Sequence, residues 1–212
     1  MSRRPRSNDT LTEAQKKIVE AAVAAFAEQG FHGTATRDIA RRAGVAEATI
    51  FKYFPSKRDL LLGVLGPAIE QLVGPALARS MDPLFSVAYP SFEAFLRALL
   101  AERIAFVRAH PRLLRILAQE LPFDAELRDG VVSRVFAPFL AKGIAMIERF
   151  QREGQIVGWP PAVVLRCVAS TFAGYILHRV FIAPDAAWDD EVENERVIAF
   201  VTRGLSPGQQ PA

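Results

Sequence analysis

The chain has 212 residues, half of them apolar and 23% charged, with a single cysteine. That composition describes a folded protein with a buried core; it excludes a disulfide framework within one chain and leaves no cysteine cluster for a metal. Runs free of Asp, Glu, Lys and Arg, such as Cys167 to His178, reach only 12 residues against the roughly 20 of a membrane helix, so a cytoplasmic setting with no membrane partner is expected. The charge is uneven: residues 1–60 carry 11 Lys/Arg against 7 Asp/Glu, and residues 61–212 carry 15 against 16. A basic front on a near-neutral body points to a polyanion partner for the front alone.

Nearly every segment reads as helix. "MSRRPRSNDT" is basic and polar with no apolar stretch behind it, so residues 1–11 are expected to be a flexible arm and not a secretory signal. Thr12 and Gln15 have the spacing of a capping box before an apolar stripe of Ala14, Ile18, Ala21, Ala22, Ala25 and Phe26. Gly30 is the expected left-handed end of that helix. Thr34 or Thr36 is placed to cap a second helix, "RDIARRA", which Gly44 ends. Ala46 or Glu47 opens a third that stops before Pro55, and Ser56 caps a fourth from Lys57 to about Ser80.

"MDPLFSVAYPS" (81–91) reads as a loop because two prolines interrupt it. Five further helices follow, at 91–109, 111–120, 125–153, 161–182 and 189–204, with a kink or split expected at Pro138. The prediction is an all-α chain of about nine helices with a polar, flexible tail at 206–212.

The third helix is the informative one. At about 100° per residue, Ile50 points towards the first two helices, and Ala48 and Lys52 lie opposite it. Thr49 and Tyr53 flank one side, Glu47 and Phe51 the other. Its outward face is small, partly polar and cationic, which no core helix needs. A helix-turn-helix reading helix has that form, with Gly44 as the turn and the outward face entering the major groove.

"AFAEQGF", "TRDIARRAGV" and "TIFKYFPSK", in that order, resemble the DNA-binding signature of the TetR family of bacterial transcriptional repressors; the likeness is dense from Ile18 to Leu62. It implies a three-helix DNA-binding domain at 12–62 and a larger helical ligand-binding and dimerisation domain at 63–205. By the same resemblance Thr36 and Arg37 begin the second helix as phosphate or base-edge contacts, Thr49 and Tyr53 hold phosphate, and Lys57 holds phosphate at the start of the fourth helix. Hydroxyls, a cation and a helix N-terminus all suit phosphate oxygens. Glu47, Ala48 and Lys52 are the candidates for reading bases, since Lys donates to guanine, Glu accepts from cytosine and a methyl touches thymine. Phe51 stands where many members have Tyr, and Glu47 where many have Lys.

The resemblance implies that the second domain binds an unidentified small-molecule effector and forms a homodimer on a palindromic operator in double-stranded DNA. Candidate walls of a hydrophobic pocket are Phe85, Phe92, Phe95, Phe106, Phe123, Phe136, Phe139, Met146 and Phe172. The last two helices are expected at the dimer interface. Small residues Ala169, Ser170, Ala173 and Gly174 would allow close approach there, and Val168, Phe172, Tyr175, Ile176, Val180, Val197, Ile198, Phe200 and Val201 would supply apolar area.

No enzyme, cofactor or metal site is expected. Cys167 and His178 are eleven apart on one predicted helix, about 16 Å of rise at 1.5 Å per residue, and there is no phosphate-binding glycine loop or nucleophile elbow. His110 reads as a capping or surface position and His178 as one at the dimer seam or in the core. The alternative function is a helical protein-interaction module whose helix-turn-helix has lost DNA binding.

Overall fold

The structure, a computed structural model, describes residues 12–68 and 74–208. The expected arm at 1–11 and residues 209–212 of the expected tail lie outside them. All regular structure in the described residues is helical: α1 (Glu13–Gly33), α2 (Thr36–Ala43), α3 (Glu47–Tyr53), α4 (Lys57–Ala68), α5 (Gly74–Ser86), α6 (Phe92–Ala109), α7 (Pro111–Glu120), α8 (Ala125–Val131), α9 (Ala137–Arg152), α10 (Pro161–Leu177) and α11 (Asp190–Gly204). Two π-helical turns, Val132–Phe136 and His178–Ile182, precede α9 and continue α10. The described residues fall into two compact units, one of 12–68 with 112–128, the other of 74–111 with 129–208.

Among the described residues the expected fourth helix corresponds to α4 and the start of α5, with 69–73 outside them, and the expected 125–153 helix is divided ahead of Pro138 by the first π turn. A proline in the first turn of α9 removes an N–H that the preceding segment would otherwise use, and a widened turn absorbs the mismatch. The expected loop at 81–91 is a correction. Helix α5 runs through Pro83 to Ser86, and only residues 87–91 are irregular. Leu77 and Met81 bury one face of α5, which holds it together across the missing hydrogen bond at Pro83.

In the first unit the expected capping box is present: Gln15 N donates to Thr12 Oγ1 at 3.3 Å and Thr12 N to Gln15 Oε1 at 2.9 Å. Gly30 has the positive φ expected of it, +72°, but its ψ of 167° is extended, so it bends α1 where a left-handed cap would end it. Thr34 does not cap α2, whose N-cap is Ala35 without a side-chain bond. Its buried hydroxyl lies instead within reach of two carbonyls of α1, Gly30 O at 2.7 Å and Ala25 O at 3.2 Å, which staples the bend. Ile18, Ala22, Phe26, Ile39, Ile50, Leu60, Leu61 and Leu65 make the core of this unit, from α1 to α4.

Arg58 of α4 grips the turn before α8, through Nε and Nη2 to Asp124 at 3.0 and 3.2 Å and through Nη2 to Glu126 at 3.1 Å. Asp124 keeps only 13% side-chain exposure. The Arg58 guanidinium, and after it the Leu127 amide, hold its carboxyl below the usual aspartate range.

The core of the second unit is aromatic. Phe92, Phe95 and Phe150 sit with ring centroids 5.4–6.4 Å apart, and Met146, Ile147, Val164, Val168, Phe172, Ile176, Ile198 and Val201 complete it. Gly154 (φ +70°) ends α9, and Gln151 Nε2 closes the following turn on Val157 O and Trp159 O at 2.9 and 2.7 Å. Pro161–Ile182 is long and apolar enough to cross a membrane by length and composition. Arg166 and Arg179 interrupt that segment, and its stripe of Val164, Val168, Phe172 and Ile176 is packed into the core of its own unit. Arg179 is buried, donating from Nη1 to the Tyr175 hydroxyl at 3.0 Å and pairing with Asp190 at the start of α11.

Two consequences are measurable. Gly44 has φ +67° with open space around it, so Gly44→Ala should cost about 1–2 kcal/mol of backbone strain alone. A Cβ on Gly63 would stand 2.6 Å from Phe54 Cε1, so Gly63→Ala should cost about 1–3 kcal/mol by overpacking. Denaturant midpoints equal to wild type would contradict both. The pKa of Asp124 is lower folded than unfolded, so its contribution is present above the unfolded value and disappears as pH falls through the folded one. Asp124→Asn should therefore melt below wild type at neutral pH, with the gap closing as pH drops below about 4. A gap constant down to acid pH would show that Asp124 does not titrate with folding.

Candidate nucleic-acid interface

The candidate reading element is built from two short helices and one glycine. Gly44, at φ +67° and ψ 33°, returns its N–H to the end of α2, and Val45 N donates to Ala40 O at 3.0 Å. This turn aims α3 away from α2. Ile39, Ala40 and Ala43 hold α2 in the core, and α3 has one buried residue within its span, Ile50. Phe54 N closes the end of α3 on Ile50 O at 2.8 Å, and Phe54 itself is buried.

What remains of α3 faces outward as the periodicity predicts. Glu47, Ala48 and Lys52 are exposed, Phe51 is 43% exposed, and Thr49 and Tyr53 are half-buried on the flank. Lys52 Nζ lies 5.8 Å from the Tyr53 ring centroid. At the start of α2, Arg37 is exposed and Thr36 half-buried. Thr36 Oγ1 donates to Glu47 Oε1 at 2.5 Å, a link between the two helices that the sequence reading did not anticipate.

Lys57 opens α4, with Nζ 4.6 Å from the Phe31 ring centroid and 3.4 Å from His32 O. Burial lowers its pKa, and the charge of Glu120 opposes that shift. Ser56 caps the same helix end, accepting from Asp59 N at 3.0 Å. Arg41 and Arg42 are ion-paired, to Asp38 at 3.0 Å and to Glu28 at 2.8 Å, the second pair joining α2 to α1.

Residues 18–64, which hold this whole arrangement, match the model of the bacterial regulatory proteins of the tetR family. The likeness to that family is carried by this helix-turn-helix stretch. A relative, the HTH-type transcriptional regulator RutR of Escherichia coli K12, is 24% identical over 93% of this chain and 91% of its own. Among solved structures, the transcriptional regulator FadR of Bacillus subtilis in complex with stearoyl-CoA has a TM-score of 0.65 at 21% identity, covering 90% of this chain and 98% of that one. AibR in complex with isovaleryl coenzyme A and operator DNA also scores 0.65, at 17% identity, with 92% and 98% covered. Those two likenesses are likenesses of fold.

The effector and partner surfaces were expected in the second unit, and the structure distributes the residues named for them between core and surface. Phe85, Phe92, Phe95, Met146 and Phe172 do come together, as packed core. Phe106 is half-buried against His110, with ring centroids 4.9 Å apart, Phe139 is half-buried, and Phe136 is exposed. Phe123 is 83% exposed and falls in the first unit, so it is no wall of a pocket in the second.

The expected dimer residues Val168, Phe172, Ile176 and Val201 are buried inside their own unit, and Tyr175, Val180 and Val197 are half-buried beside them. The surface of these helices is the opposite face of α10 and α11. It carries Cys167, Ala169, Ser170, Ala173 and Gly174, with Leu177, Ile182 (64% exposed) and Phe200 (70% exposed). An open groove of about 830 Å³ runs there, bordered by Trp159, Arg166, Ser170, Phe200 and Arg203. The small residues of this face, Ala169, Ser170, Ala173 and Gly174, are the ones that the sequence reading named for close helix approach. His178 is exposed beside the Trp188 ring, and among the described residues no group of three or more His, Cys, Asp or Glu could hold a metal.

Proposed function

We propose that the protein is a cytoplasmic, dimeric repressor that reads a palindromic operator with α3 and answers to a small apolar effector. The observation that carries this reading is the form of α3: a helix anchored by Ile50, with Glu47, Ala48, Phe51 and Lys52 turned to solvent. Such a helix contributes little to packing and offers base-reading groups at its exposed end. DNA binding is assigned to residues 12–62, and effector and partner binding to 63–205.

In this account Lys52 donates to guanine and Ala48 meets a thymine methyl. Thr36, Arg37, Thr49, Tyr53 and Lys57 hold phosphates and fix register. Phe51 has no hydroxyl to offer a phosphate. The partner copy seats on the outward face of α10 and α11, where small residues admit a close helix and Phe200 supplies an anchor. Two-fold symmetry then sets two reading helices about 34–36 Å apart, one turn of DNA.

An effector that binds better to a wrongly spaced dimer releases the operator, since a ligand shifts an equilibrium only by its differential affinity. The coenzyme A thioesters bound by FadR and AibR make an acyl-CoA the first class to test.

Selection from random duplexes should return a palindrome with half-sites about one turn apart. Lys57→Ala should weaken binding to all sequences alike, whereas Lys52→Ala should relax one or two positions per half-site at about 1–3 kcal/mol. A Lys52→Ala motif identical to wild type would remove Lys52 from base reading. Phe200→Glu should sediment as monomer at concentrations where wild type is dimeric. A dimeric Phe200→Glu protein would place the interface elsewhere.

A further inference from the structure

The hydrogen bond from Thr36 to Glu47 is unexplained by packing. It joins the first residue of α2 to the first residue of α3, between two side chains that are both at the surface. Thr36 is also a proposed phosphate donor, and a hydroxyl has one proton to give. It cannot serve Glu47 and a phosphate together. A carboxylate left beside that phosphate would also meet a like charge.

We infer that Glu47 is an internal stand-in for the DNA phosphate, holding the Thr36 hydroxyl in the free protein and surrendering it on docking, and that this exchange makes Glu47 a specificity-determining residue. The inference rests on the DNA-binding reading above and goes beyond it.

Once Thr36 donates to phosphate, the Glu47 carboxylate accepts from nothing in the protein that it held before. It is an acceptor only. In the major groove the donors are the amino groups of cytosine N4 and adenine N6. A half-site that presents one of them to Glu47 restores the lost bond. A half-site that presents guanine O6 or thymine O4 sets acceptor against acceptor. Glu47 therefore lowers affinity for DNA at large and returns it where an amino-bearing base stands opposite. A lysine at that position, the commoner choice in the family, would attract any sequence.

The test is a double-mutant cycle. Wild type, Glu47→Ala, Thr36→Val and the double variant are titrated with the selected operator and with a scrambled duplex. Glu47→Ala should bind the scrambled duplex about 3-fold tighter and lose base preference at one position of its selected motif. Thr36→Val should cost about 3-fold in the wild-type background and about 10-fold beside Glu47→Ala, because the hydroxyl is then already free in the unbound protein. Glu47→Gln keeps an acceptor for Thr36 without the charge. It should retain the coupling while shedding the penalty on scrambled DNA.

Additive effects, or a Glu47→Ala motif unchanged from wild type, would overturn the inference and leave the DNA-binding reading standing. A wild-type protein that bound neither duplex would overturn both.

Discussion

The proposed DNA-binding face depends on one side chain and one turn. A helix of seven residues cannot hold itself in water, since nucleating a helix costs more than its few hydrogen bonds return. Within α3 only Ile50 is fully buried, and Gly44 sets the direction from which the helix arrives. Remove either and Glu47, Ala48 and Lys52 lose their common face. The core formed by α1, α2 and α4 is thus a mount, and α3 is what it presents. This division explains why the outward residues can vary in chemistry without disturbing the fold. They touch little that stability needs.

The second unit shows the opposite economy. Its α10 is used on both faces. One stripe, from Val164 to Ile176, closes an aromatic core. The other is small and apolar, and stays at the surface with Leu177 and Phe200. A helix apolar on both sides is costly to leave half exposed, and a second copy of the chain is the partner that symmetry offers most simply. The buried Arg179, tied to Tyr175 and Asp190, anchors the far end of that helix to the start of α11.

Local rules were legible in the sequence and choices among equal faces were not. The Thr12–Gln15 box and the left-handed Gly44 each follow from a few neighbouring residues, and both are present. So does the outward set on α3, because a single Ile in seven residues leaves no doubt which side is inside. The larger apolar residues expected at the dimer face lie in the core because α10 carries two plausible stripes. Val168, Phe172 and Ile176 were read as interface for the same apolarity that makes them core. Which stripe faces inward depends on where α6, α9 and α11 pack, and no spacing in the chain states that. Pro83 misled for a related reason: a proline costs a helix one bond, and burial of Leu77 and Met81 outweighed it. The Thr36–Glu47 bond was out of reach because it joins residues eleven apart across a turn.

The central claim is that α3 and its surroundings engage the phosphate backbone of DNA while reading base edges. Its most direct measurement is the salt dependence of binding to duplex DNA. A dimer neutralising about eight phosphates should show log K falling against log salt with a slope near −7. A slope near zero would contradict the claim, and would mark the helix-turn-helix as a surface for protein partners.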